Sequence, residues 1–300
     1  MKQHLSYSQL STLSCLKRYY YSYILNLKPK RFNQALDFGK YFHQGMDILN
    51  TTGDIDSAVV MVREDMNKIN AFSMNDEDVL KLEWMKIVVI AMIEGYYKYF
   101  YITDRENGIK ILDSEQEYMV PIRNPKNNYM NRKYEYNFIL DMIYENKKGE
   151  LWLVEYKTAS RLGQSYFERL LIDGQGRGMA YMLKKEFNKE ITGISYRIMK
   201  KPSIRQKKGE SVSEFHERLG SVFQDQAEDY FIEKKVYFDQ TDLLIWAKDL
   251  WDSTKIVQFI KKNDCFPRDT SKCTILNCPF VALCSSQQDA ELLYEQKDKR

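Results

Sequence analysis

Two carboxylates and one lysine are spaced along this chain in a way that suits hydrolytic chemistry. Asp141 ends one apolar run, and Glu155 and Lys157 follow a second apolar run at residues 151–154. Side chains on a β-strand alternate between its two faces, so Glu155 and Lys157 point the same way. Asn146 to Gly149 has the composition of a tight hairpin turn. Pairing across this turn would bring Asp141 beside the other two groups.

These groups are the ones that hydrolysis of a phosphodiester requires. Carboxylate oxygens are hard ligands that Mg²⁺ and Mn²⁺ prefer, and such an ion can activate a bound water. Lys157 can orient or deprotonate that water, or stabilise the charged transition state. The alternative is an ordinary surface pair, because Glu-x-Lys is frequent on strands. The apolar run before Glu155 predicts a strand buried on both faces, and together with Asp141 it favours the catalytic interpretation.

The cysteines are the second group of residues that could bind a metal. Cys273, Cys278 and Cys284 lie within a dozen residues, Cys265 precedes them, and Cys15 lies near the start of the chain. Free cysteines usually pack as small hydrophobic residues, but three beside polar residues and a proline do not suit that interpretation. Four thiolates can hold Zn²⁺ or an iron–sulfur cluster. Zinc sites usually have Cys-x-x-Cys pairs, and this sequence has none.

The first hundred residues, which precede these acidic groups, are predicted to be mostly helical. We expect helices over Ser6–Tyr23, with Ser8 as the N-cap, over Phe38–Leu49 and over Asn75–Tyr101. The last of these is amphipathic. Its expected buried stripe consists of Leu82, Met85, Val89, Met92 and Tyr96.

The middle of the chain changes to strand-forming sequence. Aromatic and β-branched residues predict strands, and later segments alternate helix and strand. The expected strands are Glu115–Ile122, Tyr136–Tyr144, Leu151–Lys157 and Ile194–Met199, with helices over Ser165–Phe187 and within Val212–Lys262. This order predicts an α/β fold, a mixed β-sheet flanked by helices.

We divide the chain into three regions of one integrated domain. Residues 1–110 form a helical region with the first cysteine and His43, residues 111–200 form the core with the acidic groups, and residues 201–300 contain a basic loop, helices and three cysteines. The basic loop, Lys200 to Ser211, and the lysines and arginines near Tyr19 to Tyr23 could contact phosphates and stack on bases. Such charge runs are also common on surfaces that bind nothing.

The composition is typical of a globular protein and excludes few functions. The chain is 44% hydrophobic and 29% charged, and its net charge of +3 is too small to indicate nucleic-acid binding by itself. The longest apolar stretch, Ile87 to Ile93, is too short to span a bilayer. No secretory signal is visible, so we expect a cytoplasmic protein with reduced thiols and no membrane partner.

The order of the candidate residues resembles the RecB-like branch of the PD-(D/E)XK nucleases, which includes CRISPR-associated exonucleases and many phage nucleases. In that branch a Gly-x-x-x-His element precedes an Asp, a Glu-x-Lys and a helix with a Gln. Here Gly39 to His43 is followed by Asp141, by Glu155 to Lys157 and by Gln175. This chain has Leu140 in place of the family's Pro.

The resemblance implies a restriction-endonuclease-like sheet and a role for each matched residue. His43, Asp141, Glu155 and the Tyr156 carbonyl would ligate Mn²⁺ or Mg²⁺, and the imidazole nitrogen favours Mn²⁺. Asp141, Glu155, Lys157 and Gln175 would be the catalytic residues. A tyrosine usually follows the Gln by four residues. Met179 stands at that position here, and Tyr181 is nearby.

The cysteines resemble the iron–sulfur staple of AddB-type and CRISPR-associated nucleases. One remote N-terminal cysteine, Cys15, combines there with a C-terminal triplet, Cys273, Cys278 and Cys284. The resemblance implies a structural 4Fe-4S cluster that ties the C-terminal cysteines back to the N-terminus. Zinc is the alternative cofactor, and Cys265 could take the place of Cys273.

The function that the resemblance implies is a metal-dependent DNA exonuclease, from a phage or a bacterium, acting on single-stranded or duplex ends. Recombination, repair and phage DNA processing are the roles it suggests. The sequence has no P-loop, so a separate helicase or recombination protein is a candidate partner. The alternatives are a catalytically inactive or zinc-stabilised DNA-binding or scaffold protein. A brown colour would exclude zinc, and DNA binding without cleavage would indicate lost catalysis.

Overall fold

The computed structural model describes residues 2–69, 71, 74–275 and 278–297. Residues 276, 277 and 298–300 of the predicted C-terminal region therefore lie outside the described residues. The α-helices, in chain order, are α1 (Tyr7–Thr12), α2 (Leu16–Tyr19), α3 (Gln34–Thr52), α4 (Ile55–Asn67), α5 (Asp76–Tyr96), α6 (Ile102–Glu106), α7 (Gln164–Leu171), α8 (Gly174–Phe187), α9 (Val212–Asp225), α10 (Ala227–Tyr230), α11 (Gln240–Lys262), α12 (Lys272–Ile275) and α13 (Val281–Cys284). No helix in the described part of the chain is both long and apolar enough to cross a membrane.

The strands are β1 (Gln3–Leu5), β2 (Leu27–Pro29), β3 (Lys110–Arg123), β4 (Met130–Glu145), β5 (Leu151–Ala159), β6 (Ile191–Lys200), β7 (Phe231–Tyr237) and β8 (Tyr294–Gln296). The chain forms two compact units. The larger unit consists of residues 32–117 and 139–239, and the smaller unit of residues 1–31, 118–138 and 240–300. The three predicted regions do not coincide with these units and stay a prediction.

A mixed sheet forms the centre of the larger unit, with the strand order β4-β5-β6-β7. β5 pairs antiparallel with β4, so that Met142 lies opposite Val154, and parallel with β6, so that Lys157 lies opposite Ile198. The parallel pair needs a crossover, which α7 and α8 supply. The predicted turn joins β4 to β5, and Gly149 has the left-handed φ of +77° that it requires.

Helices cover both faces of this sheet. Tyr156 of β5 packs edge-on against Phe42 of α3, whereas Lys157, which points to the other face, lies beside Gln175 of α8. Gly176 allows α8 to approach the sheet closely, because a Cβ atom there would lie 2.6 Å from Ile194 Cδ1. The predicted mixed sheet flanked by helices is therefore confirmed.

Several predicted helices have different bounds in the structure. The five residues expected to be buried on α5 are buried, but the prediction of an amphipathic helix is wrong, because residues 88–93 are buried without a break. Ser6, not Ser8, is the first N-cap, because Ser6 Oγ accepts from Gln9 N and Gln9 Oε1 accepts from Ser6 N. The helix expected over Ser165–Phe187 breaks at residues 172–173. The helical stretch expected over Val212–Lys262 contains β7, which pairs antiparallel with β6. Helix α4 was not predicted.

The smaller unit joins the N-terminal and C-terminal segments by backbone hydrogen bonds. β2 pairs antiparallel with β8, and Lys17 N donates to the Pro267 carbonyl at 3.0 Å. β1 pairs parallel with the first half of β4, where Gln3 lies opposite Tyr134. Strand pairing thus ties the C-terminal segment to the N-terminal segment, whereas the sequence predicted that a cysteine cluster would do so.

Candidate active site

Strands β4 and β5 bring the first two carboxylates together. Asp141 lies one residue beyond the last registered pair, Met142 and Val154, and this places it beside Glu155. The Tyr156 backbone N–H donates to Asp141 Oδ2 at 2.7 Å, which holds the carboxylate against β5. Asp141 and Glu155 are 6% and 4% exposed. Two nearly buried carboxylates this close need a cationic partner.

Helix α3 adds an imidazole to these carboxylates. His43 Nδ1 lies 3.3 Å from Asp141 Oδ1 and 3.6 Å from Glu115 Oε1. On the other side of the ring, His43 Nε2 lies 3.2 Å from the Tyr156 carbonyl oxygen. The family resemblance implied a histidine, an aspartate and a carbonyl group from distant parts of the chain as metal ligands. The structure brings these three groups together.

Glu115 belongs to this site, and the sequence analysis did not identify it. It lies in β3 with a φ of +48°, a left-handed conformation that costs a non-glycine residue free energy and is concentrated at functional sites. His43, Glu115 and Asp141 each offer one ligand atom, and these atoms lie within 4.8 Å of one another. Nothing in the local sequence pattern distinguishes this glutamate from others on an edge strand.

The donor atoms of the site fit a divalent cation. Glu115 Oε1 and Glu155 Oε2 are buried and accept no hydrogen bond from the residues that the structure describes. Glu115 Oε1 lies 3.6 Å from His43 Nδ1, which is too far for a hydrogen bond. A buried carboxylate oxygen without a hydrogen bond is costly, and a hard cation would satisfy it. The oxygen-rich set with one imidazole nitrogen is compatible with Mg²⁺ and favours Mn²⁺.

The pKa shifts reflect the excess of negative charge at this site. Burial, together with the charge of Asp141, raises the pKa of Glu155 to about 7. Burial lowers the pKa of His43, but Asp141 and Glu115 outweigh this effect and raise the pKa to about 10. A metal ion would displace that imidazole proton, because ligation requires the free ring nitrogen.

Lys157 contributes a positive charge on the α8 side of the sheet. Its Nζ lies 2.7 Å from Glu155 Oε1 and 3.4 Å from Gln175 Oε1. Burial lowers the pKa of Lys157, but the neighbouring Glu155 more than offsets this and raises it above its usual value. Lys157 is therefore an ammonium group, which favours the electrostatic role over the proton-accepting one.

The break between α7 and α8 positions Gln175. Asp173 is the N-cap of α8, where its Oδ1 accepts from Gln175 N at 3.1 Å. The Tyr196 hydroxyl donates to Asp173 Oδ2 at 3.2 Å, which fixes the cap to β6. Gln175 consequently lies in the first turn of α8, with its side chain oxygen facing Lys157. A continuous helix, as predicted, would not have a cap at this point.

The cysteines lie in the smaller unit and do not form a compact ligand group. Burial and the neighbouring thiols of Cys278, Cys15 and Cys273 raise the pKa of Cys284. Among the described residues, however, no three cysteine sulfurs lie within 4.8 Å of one another. Two sulfurs bound to one zinc ion at about 2.3 Å can be at most about 4.6 Å apart. The arrangement therefore does not fit a zinc site. The iron–sulfur cluster is not supported either, and Cys265 is exposed.

Replacing Glu115 by glutamine should weaken Mn²⁺ binding. Loss of a residue that only hydrogen-bonds to a metal ligand already lowers metal affinity about 10- to 100-fold. Loss of a ligand should therefore lower the Mn²⁺ affinity at least about 10-fold. Isothermal titration of MnCl₂ into DNA-free protein measures this. Glu117→Gln, on the same strand and exposed, is the matched control. Equal Mn²⁺ affinities for the two variants would exclude Glu115 from the metal site.

Comparison with known proteins identifies one family. The family model described as the PD-(D/E)XK nuclease superfamily matches residues 4–285. No curated protein matches the chain. Among solved structures, the chain is similar to one described as the crystal structure of SSO0001, with 11% identity and a TM-score of 0.33 over 71% of this chain and 78% of that one. That likeness is too weak to support an argument.

Proposed function

Because this chain belongs to the PD-(D/E)XK nuclease superfamily, we propose that it is a metal-dependent deoxyribonuclease that acts as an exonuclease at DNA ends. The observation that supports this most is the convergence of His43, Glu115 and Asp141, whose ligand atoms lie within 4.8 Å of one another. Glu155 lies beside Asp141, with the Lys157 ammonium next to it. Within the described residues, one buried oxygen of Glu115 and one of Glu155 accept no hydrogen bond. Acidic clusters on protein surfaces do not normally bury unsatisfied oxygens in this way.

The residues that would hold the metal come from four elements. His43 is on α3, Glu115 on β3, Asp141 on β4 and Glu155 on β5, with the Tyr156 carbonyl as a further candidate. When bound, a divalent ion lowers the pKa of a coordinated water and offsets the charge that develops on the phosphate. A ligand set drawn from four rigid elements is well suited to holding an ion in one position.

Lys157 and Gln175 would act on the phosphate side of this site. The Lys157 ammonium is positioned to donate hydrogen bonds to a phosphate oxygen and to stabilise the negative charge of the transition state. The Gln175 side chain oxygen accepts from Lys157 at 3.4 Å and so limits the orientations of the ammonium. Asp173 fixes Gln175 through the cap of α8.

The proposed reaction, removal of nucleotides from DNA ends, suggests a group of cellular roles. Removal of nucleotides from DNA ends serves recombination, repair and phage DNA processing, and we assign the chain to one of these in the cytoplasm. A separate helicase or recombination protein would open duplex ends for it, since the sequence contains no P-loop.

A cleavage assay on labelled DNA tests the proposed function. We expect wild-type protein to shorten linear single- or double-stranded DNA with Mn²⁺, and to stop when EDTA is added. Asp141→Asn should cleave at least about 100-fold more slowly, because a metal contributes several kcal/mol to phosphoryl transfer and each 1.36 kcal/mol is tenfold in rate.

Two outcomes would contradict this proposal in different ways. Equal cleavage of covalently closed circles and linear DNA would exclude the exonuclease assignment and leave a nuclease. DNA binding without cleavage in Mn²⁺ or Mg²⁺ would establish the alternative of a catalytically inactive binding protein.

A further inference from the structure

A basic loop follows β6 at the carboxyl ends of two parallel strands. Lys201, the second residue of this loop, donates its backbone N–H to the Ala159 carbonyl at 2.8 Å, at the end of β5. Glu155 and Lys157 occupy the same half of β5. Ligands of α/β sheets bind outside the carboxyl ends of parallel strands, so this loop borders the region where a substrate of the site would lie.

The Lys201 ammonium has no anionic partner in the part of the chain that the structure describes. Its Nζ lies over the ring of Phe38, 4.3 Å from the centroid, and no carboxylate of a described residue forms an ion pair with it. Burial lowers the pKa of Lys201 to about 8. A partly buried ammonium without a counter-ion is costly, and binding of an anion would remove that cost.

The loop presents Lys201 on an ordered backbone. Trp84 Nε1 donates to the Ile204 carbonyl at 2.9 Å, and the Arg205 guanidinium stacks over the Trp84 ring at 4.5 Å. Arg218 donates to the Arg205 carbonyl at 3.0 Å and pairs with Glu210 at 2.7 Å. Since Glu210, the acidic residue of the loop, already binds Arg218, it does not neutralise Lys201.

Lys201 and Lys157 lie at the same end of the sheet but point to opposite faces. Lys157 lies opposite Ile198, and Lys201 follows three residues later. Strand alternation therefore directs Lys157 toward α8, where it lies beside Gln175, and Lys201 toward α3, where it lies over Phe38.

We propose that Lys201 binds a backbone phosphate of the DNA strand outside the carboxyl ends of β5 and β6, at a phosphate other than the scissile one. The assignment rests on the proposed function, because it takes a DNA strand to be the substrate. Arg205 lies exposed on the same ordered loop, and this favours a continuous polyanion over a single free phosphate. Lys201 would thus be a positioning residue for the strand and not a catalytic one.

DNA binding without cleavage tests this assignment. Binding of a fluorescent single-stranded or duplex oligonucleotide is measured by anisotropy in EDTA, across 50–200 mM salt. Loss of one phosphate contact should reduce the slope of log K against log salt by about 0.7–0.9. We expect that reduction for Lys201→Met, which retains the packing on Phe38, and not for Lys201→Arg. The matched control is Lys148→Met, in the exposed turn at the opposite end of β5.

Each remaining outcome separates this inference from the proposed function. If the slope of log K against log salt is the same for Lys201→Met and Lys148→Met, and thermal unfolding is unchanged, the phosphate assignment is overturned. This holds even if the wild type cleaves DNA. Displacement of DNA from wild type by millimolar inorganic phosphate, but not from Lys201→Met, would also overturn it, in favour of a free-phosphate site. A reduced slope in a protein that cleaves nothing would support the phosphate contact and reject the nuclease.

Discussion

Replacing Lys157 by alanine should lower the rate of DNA cleavage by about 10²–10³-fold, the usual cost of removing one donor that stabilises transition-state charge. The ammonium is 2.7 Å from Glu155 and lies on the same strand face as that carboxylate. No other described lysine or arginine forms an ion pair with Glu155, so no neighbour can take over its role. Single-turnover cleavage of end-labelled DNA with saturating Mn²⁺ measures the effect on the chemical step.

Two controls separate catalysis by Lys157 from folding and metal binding. Lys148→Ala removes a lysine from the turn before β5 and should cleave at the wild-type rate. Lys157→Ala should still bind Mn²⁺, because the ammonium is not a ligand. Wild-type cleavage by Lys157→Ala would reject its catalytic role, whereas failure of the variant to bind Mn²⁺ would show that it acts through the metal site.

Replacing Asp104 by alanine should destabilise the larger unit by about 3–5 kcal/mol, because it leaves a buried guanidinium without its counter-ion. Arg197 is 1% exposed. Its Nη1 lies 2.6 Å from Asp104 Oδ2, and its Nη2 donates to Asp104 Oδ1 at 2.9 Å. Equilibrium unfolding in urea, followed by circular dichroism, measures the change in free energy of unfolding.

The control for Asp104 is an exposed ion pair in the same unit. Glu83→Ala removes a partner of Lys86 on the surface of α5 and should cost at most about 1 kcal/mol. Replacing both buried partners, as Asp104→Leu with Arg197→Met, should recover much of the lost stability, since an apolar pair needs no counter-ion. A loss for Asp104→Ala no larger than that for Glu83→Ala would show that Arg197 finds another partner or water.

The buried pair also connects to the candidate active site. Arg197 Nη1 donates to the Tyr96 hydroxyl at 2.6 Å, and Tyr96 donates to the Tyr156 hydroxyl at 3.4 Å. Asn50 Nδ2 donates to the same Tyr156 hydroxyl at 3.0 Å. Because Tyr156 lies between Glu155 and Lys157 on β5, this network holds the strand that presents both groups. Loss of Asp104 should therefore affect the site as well as stability.

The sequence alone was sufficient for the parts of the site that depend on local structure. Strand alternation predicts that Glu155 and Lys157 share a face, and the turn at 146–149 predicts that Asp141 joins them. These relations span 17 residues and depend on a two-residue period and one turn. The order of His43 and Gln175 in the chain came from the family pattern, and the structure places His43 beside Asp141 and Gln175 beside Lys157.

Only the tertiary structure revealed the remaining features. The left-handed backbone of Glu115 and the Asp173 cap that places Gln175 are local interruptions of a strand and a helix, and they leave no periodic signal. The pairing of Arg197 with Asp104 joins residues far apart in sequence, which periodicity does not reveal either. The cysteine spacing favoured a cluster, but spacing along the chain does not determine distances between sulfur atoms. The arrangement of Asp141, Glu155 and Lys157 could thus be predicted from local periodicity. Glu115, His43 and Gln175 join it only because β3 pairs with β4 and because α3 and α8 pack on the sheet.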